Sequence, residues 1–383
     1  MASMRHNGVV LNKNFVAPDV TTMVGDLGRL VNIESPSLDI AALTASAGEL
    51  AAMMQQRLGT PPMIVDSAVG PHVHWSGGGD PKVLIVGHHD TVFAKGALAQ
   101  RPFTVVADRA TGPGIFDMKA GIIQAIHGVA ALADKSGVEI LITSDEEVGS
   151  HHSRDFIVER AQACGAVLVL EPSADGGALK TARKGTGTFE LHVHGRASHA
   201  GLEPEKGVNA LIEAAQQILE IAQFGDGELG TTVTPTVAVI GSVDNVVPAH
   251  AKISIDVRVV EAQERQRVET AMNSLIVNNP QARLEMKGGF NRPPMAPTAS
   301  TWLFPMAVEV AHELGLPAVH GVAVGGGSDG NFTAAAGVPT LDGLGAVGGG
   351  AHADHEWVDV AQMPQRALLI AGLVQRLQNR NEH

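Results

Sequence analysis

The 383-residue sequence holds one cysteine, Cys164, and no tyrosine at all. A lone cysteine excludes an intramolecular disulfide and any zinc site built on thiolates. No apolar run approaches the roughly 20 residues that a membrane span needs. The opening Met-Ala-Ser-Met-Arg-His-Asn-Gly also has none of the roughly 7–15-residue apolar core of a secretory signal. Those two absences make a cytoplasmic address the expectation. Positive charge is scarce too: 27 Lys and Arg stand against 40 Asp and Glu, a formal net charge of −13. Nucleic acid and anionic membrane need clustered cations and are therefore not expected partners. Internal repeats and low-complexity linkers are missing as well. In Gly112-Pro-Gly-Ile-Phe-Asp117, Asp117 occupies the third glycine position of a dinucleotide-binding loop, which removes that reading.

What is present describes a globular chain, 44% hydrophobic and 17% charged, and long enough that two domains are expected. Apolar spacing predicts helices over 19–33 and 39–58, then short strands at 63–65 and 73–75. The runs at 82–87, 138–142 and 166–170 predict strands buried on both faces. Helices are expected from 117 to about 135 and over 153–163. Near residue 180 the texture changes to strict alternation over 186–195, followed by a helix at 208–224, strands at 231–240 and 251–259, a helix at 262–277 and a short strand at 284–287. That β-α-β-β-α-β order is the ferredoxin-like split motif. The α/β texture then resumes, with helices at 299–314, 331–336 and 362–377 and strands at 318–324 and 338–341. The expected fold class is α/β. A mixed central sheet flanked by helices is built from 1–182 and 296–383, and a ferredoxin-like α+β domain is inserted over 183–295.

The buried strands end in unusual residues. The first runs into His88-His89-Asp90, the second into Asp145-Glu146-Glu147, and the third into Glu171. Taken singly, these are a loop His pair, a solvated acidic turn and an exposed cap. Asp117, at the start of a helix, reads singly as an N-cap. Their convergence points elsewhere, because the carboxyl edge of an open α/β sheet is where ligands bind. With His352, from Gly348-Gly-Gly-Ala-His352-Ala-Asp, the candidates are His88, Asp117, Glu147, Glu171 and His352. Two divalent cations sharing one carboxylate, with a water or hydroxide between them, need about that many protein ligands. Mixed N/O donors without thiolate suit Zn best, with Mn or Co able to substitute. Glu146, next to a ligand and pointing another way, is free to act as a base. Asp90, two residues after His88, is placed to fix the imidazole tautomer.

The motifs Gly-His88-His-Asp90-Thr-Val, Gly-Pro-Gly-Ile-Phe-Asp117-Met-Lys, Ser-Asp-Glu146-Glu147-Val-Gly-Ser, Glu171-Pro, Gly-Arg-Ala-Ser-His199-Ala-Gly, Gly-Gly-Gly-Ser-Asp329 and His352-Ala-Asp occur in that order. As a set the chain resembles the co-catalytic zinc metallopeptidases that include glutamate carboxypeptidase, aminoacylase and succinyl-diaminopimelate desuccinylase, and glutamate carboxypeptidase most of all. The resemblance runs from about residue 27 to the end and implies a zinc exopeptidase-like fold. It further implies that His88 and Glu171 hold one zinc, that Glu147 and His352 hold the other, and that Asp117 bridges them. Asp90 would then orient His88, and Glu146 would be general base and then acid. The family also implies a cis peptide at Asp117–Met118, a homodimer formed through the inserted domain acting as dimerisation and lid element, and His199 as a catalytic residue. Met118 departs from the pattern, standing where glutamate carboxypeptidase has a second Asp.

The reaction so implied is metal-dependent hydrolysis of an amide next to a C-terminal carboxylate, most simply release of Glu from an acyl- or peptidyl-glutamate. Lys184, Asn245, Arg258 and Arg292 are candidates for holding that carboxylate, and Gly327 and Ser328 for lining the site. An N-acyl-amino-acid amidohydrolase or a dipeptidase of the same family is the alternative. A serine hydrolase is the rival class, since Gly326-Gly-Ser328-Asp-Gly fits a nucleophile elbow, although little chain follows Ser328 to supply the acid and the histidine. A binder of acylated amino acids that does not cleave them is the non-enzymatic reading. It sits badly with the presence of Glu146 and all five ligands.

Overall fold

In the structure, a computed structural model, residues 15–380 are described. The first eight residues, read above for a missing signal, lie outside them. The chain divides into two compact units, the first comprising 1–182, 297–323 and 328–383, the second 183–296 and 324–327. Among the described residues no helix is long and apolar enough to cross a membrane.

The first unit is organised by a six-stranded mixed sheet in the order Met63–Val65, His72–Ser76, Val138–Thr143, Val83–His88, Ala166–Val169, Thr340–Leu341. Strand Val83–His88 lies parallel between Val138–Thr143 and Ala166–Val169, while the first two strands run antiparallel. Every residue of the three central strands is buried, and strand geometry sends alternate side chains to opposite faces. Val83, Ile85, Val138, Ile140, Ile142, Ala166 and Leu168 join one core, with helices Ala120–Ala130 and Met363–Gln378. Leu84, Val86, Leu141, Val167 and Val169 join another, with Ile157 and Ala161 of helix Arg154–Ala163. Each Val, Ile or Leu so buried contributes about 1.5–3 kcal/mol. Cys164 sits in that second core, where burial pushes its thiol up to about 12 and keeps it unreactive.

The opening helices Val20–Val31 and Ile40–Leu58 begin on Asp19 and Asp39, whose carboxylates accept from Thr22 N at 2.8 Å and Ala42 N at 3.1 Å. Such caps are worth about 1 kcal/mol each. The helix after Asp117 stops at Ala130, earlier than its apolar spacing suggests, and Asp134 closes a separate turn onto Ser136. A small four-stranded sheet was not anticipated. It is ordered Gly348–Gly349, Trp357–Asp359, Arg109–Thr111, Thr104–Val106, and its members are too short and too exposed to show a period.

The second unit has the expected β-α-β-β-α-β order. Strands Thr232–Ile240, His250–Val259, Gly185–His194 and Arg283–Arg292 pair antiparallel in that spatial order. Phe189, Leu191, Val193, Ile253, Ile255 and Val257 bury one face under helices Ala210–Ile221 and Ala262–Asn273. The last strand runs well past the four residues expected. Gly288 and Gly289, at φ of +79° and +147°, interrupt the alternation without ending the pairing.

Candidate metal centre

The parallel arrangement of Val83–His88, Val138–Thr143 and Ala166–Val169 sends three chain segments off one edge of the sheet. His88, in register with Thr143, ends the first strand, and Leu170 N donates to Val86 O at 2.8 Å just before Glu171. His88 is 1% exposed. Its Nδ1 lies 3.0 Å from the Asp90 carbonyl oxygen and 3.5 Å from Asp90 Oδ1. Nδ1–H therefore donates to the carbonyl, which leaves the Nε2 lone pair free to bind a metal.

Asp117 arrives on a different loop. Gly114 takes a φ of +69°, and a Cβ there would stand 2.3 Å from Thr91 Cγ2, so only glycine allows the turn. Peptide Asp117–Met118 is cis. Met118 Sδ accepts from the His88 N–H at 3.4 Å, so the departure at this position packs beneath a metal donor. The Asp117 carboxylate faces two imidazoles and does not cap the helix that follows.

The acidic turn separates its members. Asp145 is fully buried and accepts from His152 N at 2.8 Å and Ser153 N at 3.3 Å. Glu146 and Glu147 open a 3-10 turn, and their backbone N–H groups donate to Asp90 Oδ1 and Oδ2 at 3.2 Å each. Glu146 is 9% exposed.

His88 Nε2 lies 3.2 Å from Asp117 Oδ1 and 3.7 Å from Glu171 Oε1. His352 Nε2 lies 3.3 Å from Asp117 Oδ2 and 3.1 Å from Glu147 Oε2. Two donor triplets, His88–Asp117–Glu171 and Asp117–Glu147–His352, thus share Asp117. A tetrahedral cation with bonds of about 2.0 Å spaces its ligand atoms about 3.3 Å apart, which these separations match. The field agrees. Hydrogen bonds to Asp117 and Glu147 raise His352 to about 10. Burial alone would lower His88, yet Asp117 and Asp90 carry it well above its ordinary value. Burial opposes the charge on Asp117, but His352 and His88 hold its carboxyl well below the usual range. The residues form a dinuclear site that favours positive charge, with the N and O donors that zinc takes.

Two residues at this site went unread in the sequence. Lys180 Nζ lies 3.9 Å from Glu171 Oε2 on a side chain only 13% exposed. Its strand, Leu179–Arg183, was not anticipated. Glu356 accepts from three backbone N–H groups of the Asp117 loop. Its only sequence signal is its spacing four residues after His352.

The other candidates are placed as follows. Ser328 is fully buried and its hydroxyl donates to Asp342 Oδ2 at 2.6 Å, where a serine nucleophile would need a histidine. Lys184, His199, Asn245, Arg258, Arg292 and Gly327 belong to the second unit. Lys184 Nζ donates to Gly230 O at 2.5 Å, and Arg258 Nη2 pairs with Asp256 Oδ2 at 2.8 Å. Arg292 is 8% exposed, and a Cβ on Gly327 would stand 3.0 Å from its Cδ, so the glycine leaves room beside that side chain. His199 is exposed, and Ala200 N next to it donates to Asn245 O at 2.9 Å.

A family model described as peptidase family M20/M25/M40 matches residues 84–376. Carboxypeptidase G2 of Pseudomonas sp. (strain RS-16) is 32% identical over 375 residues, covering 93% of this chain and 89% of that protein. Among solved structures, aminopeptidase PepT from Bacillus cereus superimposes with a TM-score of 0.72 at 19% identity, covering 94% of this chain and 99% of that one. An M20 family metallo-carboxypeptidase, Sso-CP2 from Sulfolobus solfataricus, does so with a TM-score of 0.70 at 15% identity, covering 96% and 99%. These two likenesses show the α/β fold.

Proposed function

The chain belongs to peptidase family M20/M25/M40 and is a metal-dependent hydrolase, and from that premise we propose that it is a carboxypeptidase releasing C-terminal glutamate from acyl- or peptidyl-glutamates. The observation that carries the reaction class is the pair of donor triplets sharing Asp117 with Glu146 beside them. The carboxypeptidase reading is supported by the 32% identity with carboxypeptidase G2 over nearly the whole chain.

His88 and Glu171 would hold one zinc ion, Glu147 and His352 the other, and Asp117 both. Bound there, the cations supply Lewis-acid polarisation of the substrate carbonyl and lower the pKa of water. The protein's own groups handle the protons. Glu146 takes one from the water that attacks the carbonyl carbon. When the C–N bond breaks, the same carboxyl returns that proton to the departing nitrogen. Asp90 keeps Glu146 and Glu147 in place through their backbone N–H groups. Lys180 brings a positive charge beside Glu171 that suits a substrate carboxylate, and Arg292 and Asn245 are further candidates for that contact.

The protein acts as a homodimer through the second unit. Strand Thr232–Ile240 is the edge of its sheet, and Val237 and Val239 on it are 55% and 64% exposed. Ile212 and Leu219 of helix Ala210–Ile221 are 59% and 68% exposed. An unpaired edge with apolar side chains is a template for pairing with another copy.

The test is a panel of acylated amino acids and dipeptides, varied first at the C-terminal residue, with the protein stripped by chelator and reloaded with Zn, Mn or Co. Fastest metal-dependent turnover on C-terminal Glu is expected. A preference for neutral C-terminal residues would replace the glutamate reading with that of an N-acyl-amino-acid amidohydrolase or dipeptidase. Absence of any metal-dependent amide hydrolysis would defeat the reaction itself.

A further inference from the structure

Asp117 and His352 lie on segments far apart in sequence, yet the Asp117–Glu147–His352 triplet needs both within a few ångströms. The small sheet brings those segments together. Strand Trp357–Asp359 pairs antiparallel with Arg109–Thr111, with Trp357 opposite Thr111 and Val358 opposite Ala110. The chain that leads on to Asp117 and the chain that leads in from His352 therefore leave this ladder at the same end. Glu356 stands just beyond it, 1% exposed. Its Oε1 accepts from Phe116 N at 2.7 Å and Asp117 N at 2.8 Å, and its Oε2 accepts from Gly114 N at 2.9 Å.

The same residue closes the turn on the other side. Glu356 N donates to Ala353 O at 3.1 Å, and Ala353 N donates to Gly350 O at 2.9 Å. His352 sits inside those turns with a φ of +63° and a side chain 54% exposed, so its position depends on the turn that carries it. One carboxylate thus grips the backbone beneath Asp117 from the segment that carries His352.

We propose that Glu356 is a positioning residue that sets the Asp117–Glu147–His352 metal subsite, holding two of its three donors in register before a cation binds. This rests on the dinuclear reading of the site and adds an asymmetry to it. In the other subsite, His88 and Glu171 stand at strand ends of the central sheet and only Asp117 hangs on the clamp. Loss of Glu356 should therefore weaken one subsite far more than the other. A residue needed only for folding would weaken both alike.

The experiment titrates metal-free wild type, Glu356→Gln and Glu356→Ala with Co²⁺, following d–d absorbance and equilibrium dialysis, with no turnover required. The glutamine keeps the volume and one oxygen acceptor, but its NH₂ faces the backbone donor of Gly114 or of Phe116 and Asp117. Wild type should take up two equivalents. In Glu356→Gln the first should bind within a few-fold of wild type and the second about 10–100-fold more weakly, the usual cost of losing a partner of a metal ligand. At saturating metal its kcat should recover towards wild type with KM unchanged. Equal weakening of both equivalents, or of neither, overturns the proposal, and so does loss of the fold in both variants. A wild-type protein that binds fewer than two equivalents would instead strike the dinuclear reading itself.

Discussion

Asp90 accepts a hydrogen bond from the backbone N–H of Glu146 at 3.2 Å, through the oxygen that also lies 3.5 Å from His88 Nδ1. Its other oxygen takes the Glu147 N–H at 3.2 Å and the Ser37 hydroxyl at 2.7 Å. Burial works against the charge on this carboxyl, yet the His88 imidazole beside it, with help from the Ser37 hydroxyl, holds it below the ordinary range. The firmest contact to His88 comes from the Asp90 backbone carbonyl, at 3.0 Å. Asp90 therefore ties the end of strand Val83–His88 to the turn that supplies both the proposed base and a metal donor.

Replacing Asp90 with Asn tests that tie. The backbone carbonyl that orients His88 is unchanged, but one acceptor becomes an NH₂ set against a backbone N–H. The acidic turn should shift, and kcat/KM should fall by about 10–100-fold together with metal affinity. Steady-state kinetics and metal content on the same preparation decide it. Unchanged values for both would mean that the turn holds its place without Asp90.

Much of this site was legible because its donors punctuate strong local patterns. His88 and Glu171 interrupt apolar runs that can only be buried strands, and the Asp-Glu-Glu turn follows a third. Asp117 stands out at the start of a helix behind Gly-Pro-Gly. His352 has no such frame: only its glycine-rich stretch marks it as a candidate, and its pairing with Glu147 comes from the resemblance alone. Glu356 was illegible for a physical reason: its three partners lie 239 to 242 residues away, across two strands of three residues each. Lys180 was missed because its strand is too short to declare a period. The split βαββαβ unit could be read because alternation persists over ten residues in both Gly185–His194 and His250–Val259.

Glu146→Gln separates proton transfer from metal binding. The amide has nearly the same size and its backbone N–H still reaches Asp90, so metal content should stay at the wild-type level. Turnover should fall by about 10²–10⁴, the usual loss when a general base is removed. The check is kcat measured with metal stoichiometry determined in parallel. Near wild-type turnover with both ions bound would assign the proton transfer to another group.

The second unit carries a pH-dependent contribution of its own. Glu264, 6% exposed, accepts from Arg267 Nε and Nη2 at 2.7 Å each and from Thr231 Oγ1 at 2.6 Å. The Arg267 hydrogen bonds, with help from Thr231, hold its carboxyl down at about 2. An unfolded Glu titrates near 4.3, so between those values the unfolded chain binds a proton that the native state does not. The stabilisation is therefore complete above about pH 4.3 and is lost as pH falls towards 2. Glu264→Gln should cost about 1–2 kcal/mol at pH 7, allowing for the partly exposed Arg267. Urea unfolding should show that gap narrowing between pH 5 and pH 3. A gap independent of pH would mean that shape, and not charge, is what the glutamine disturbs.

The last prediction concerns His199, which lies in the second unit while all five metal donors lie in the first. Its Nδ1 accepts from the backbone N–H groups of Gly201 and Leu202, each at 3.1 Å. With Nδ1 accepting, Nε2 is the ring nitrogen that presents an N–H. The loop itself is held by Ala200 N donating to Asn245 O at 2.9 Å and by a bridge between His199 and Val246. An exposed imidazole presenting one N–H suits stabilisation of the oxyanion that forms on an attacked carbonyl, and such donors are worth about 3–4 kcal/mol. In the proposed dimer this donor would serve the partner's site, so catalysis as well as assembly would need two copies. His199→Ala should therefore cost about 10²–10³ in kcat with metal content intact. Mixed dimers make the stronger demand. Pairing an inactive Glu146→Gln subunit with an inactive His199→Ala subunit leaves one composite site with both groups present, and part of the activity should return. Heterodimers as dead as either parent, or an active monomer, would show that His199 does not act across the interface.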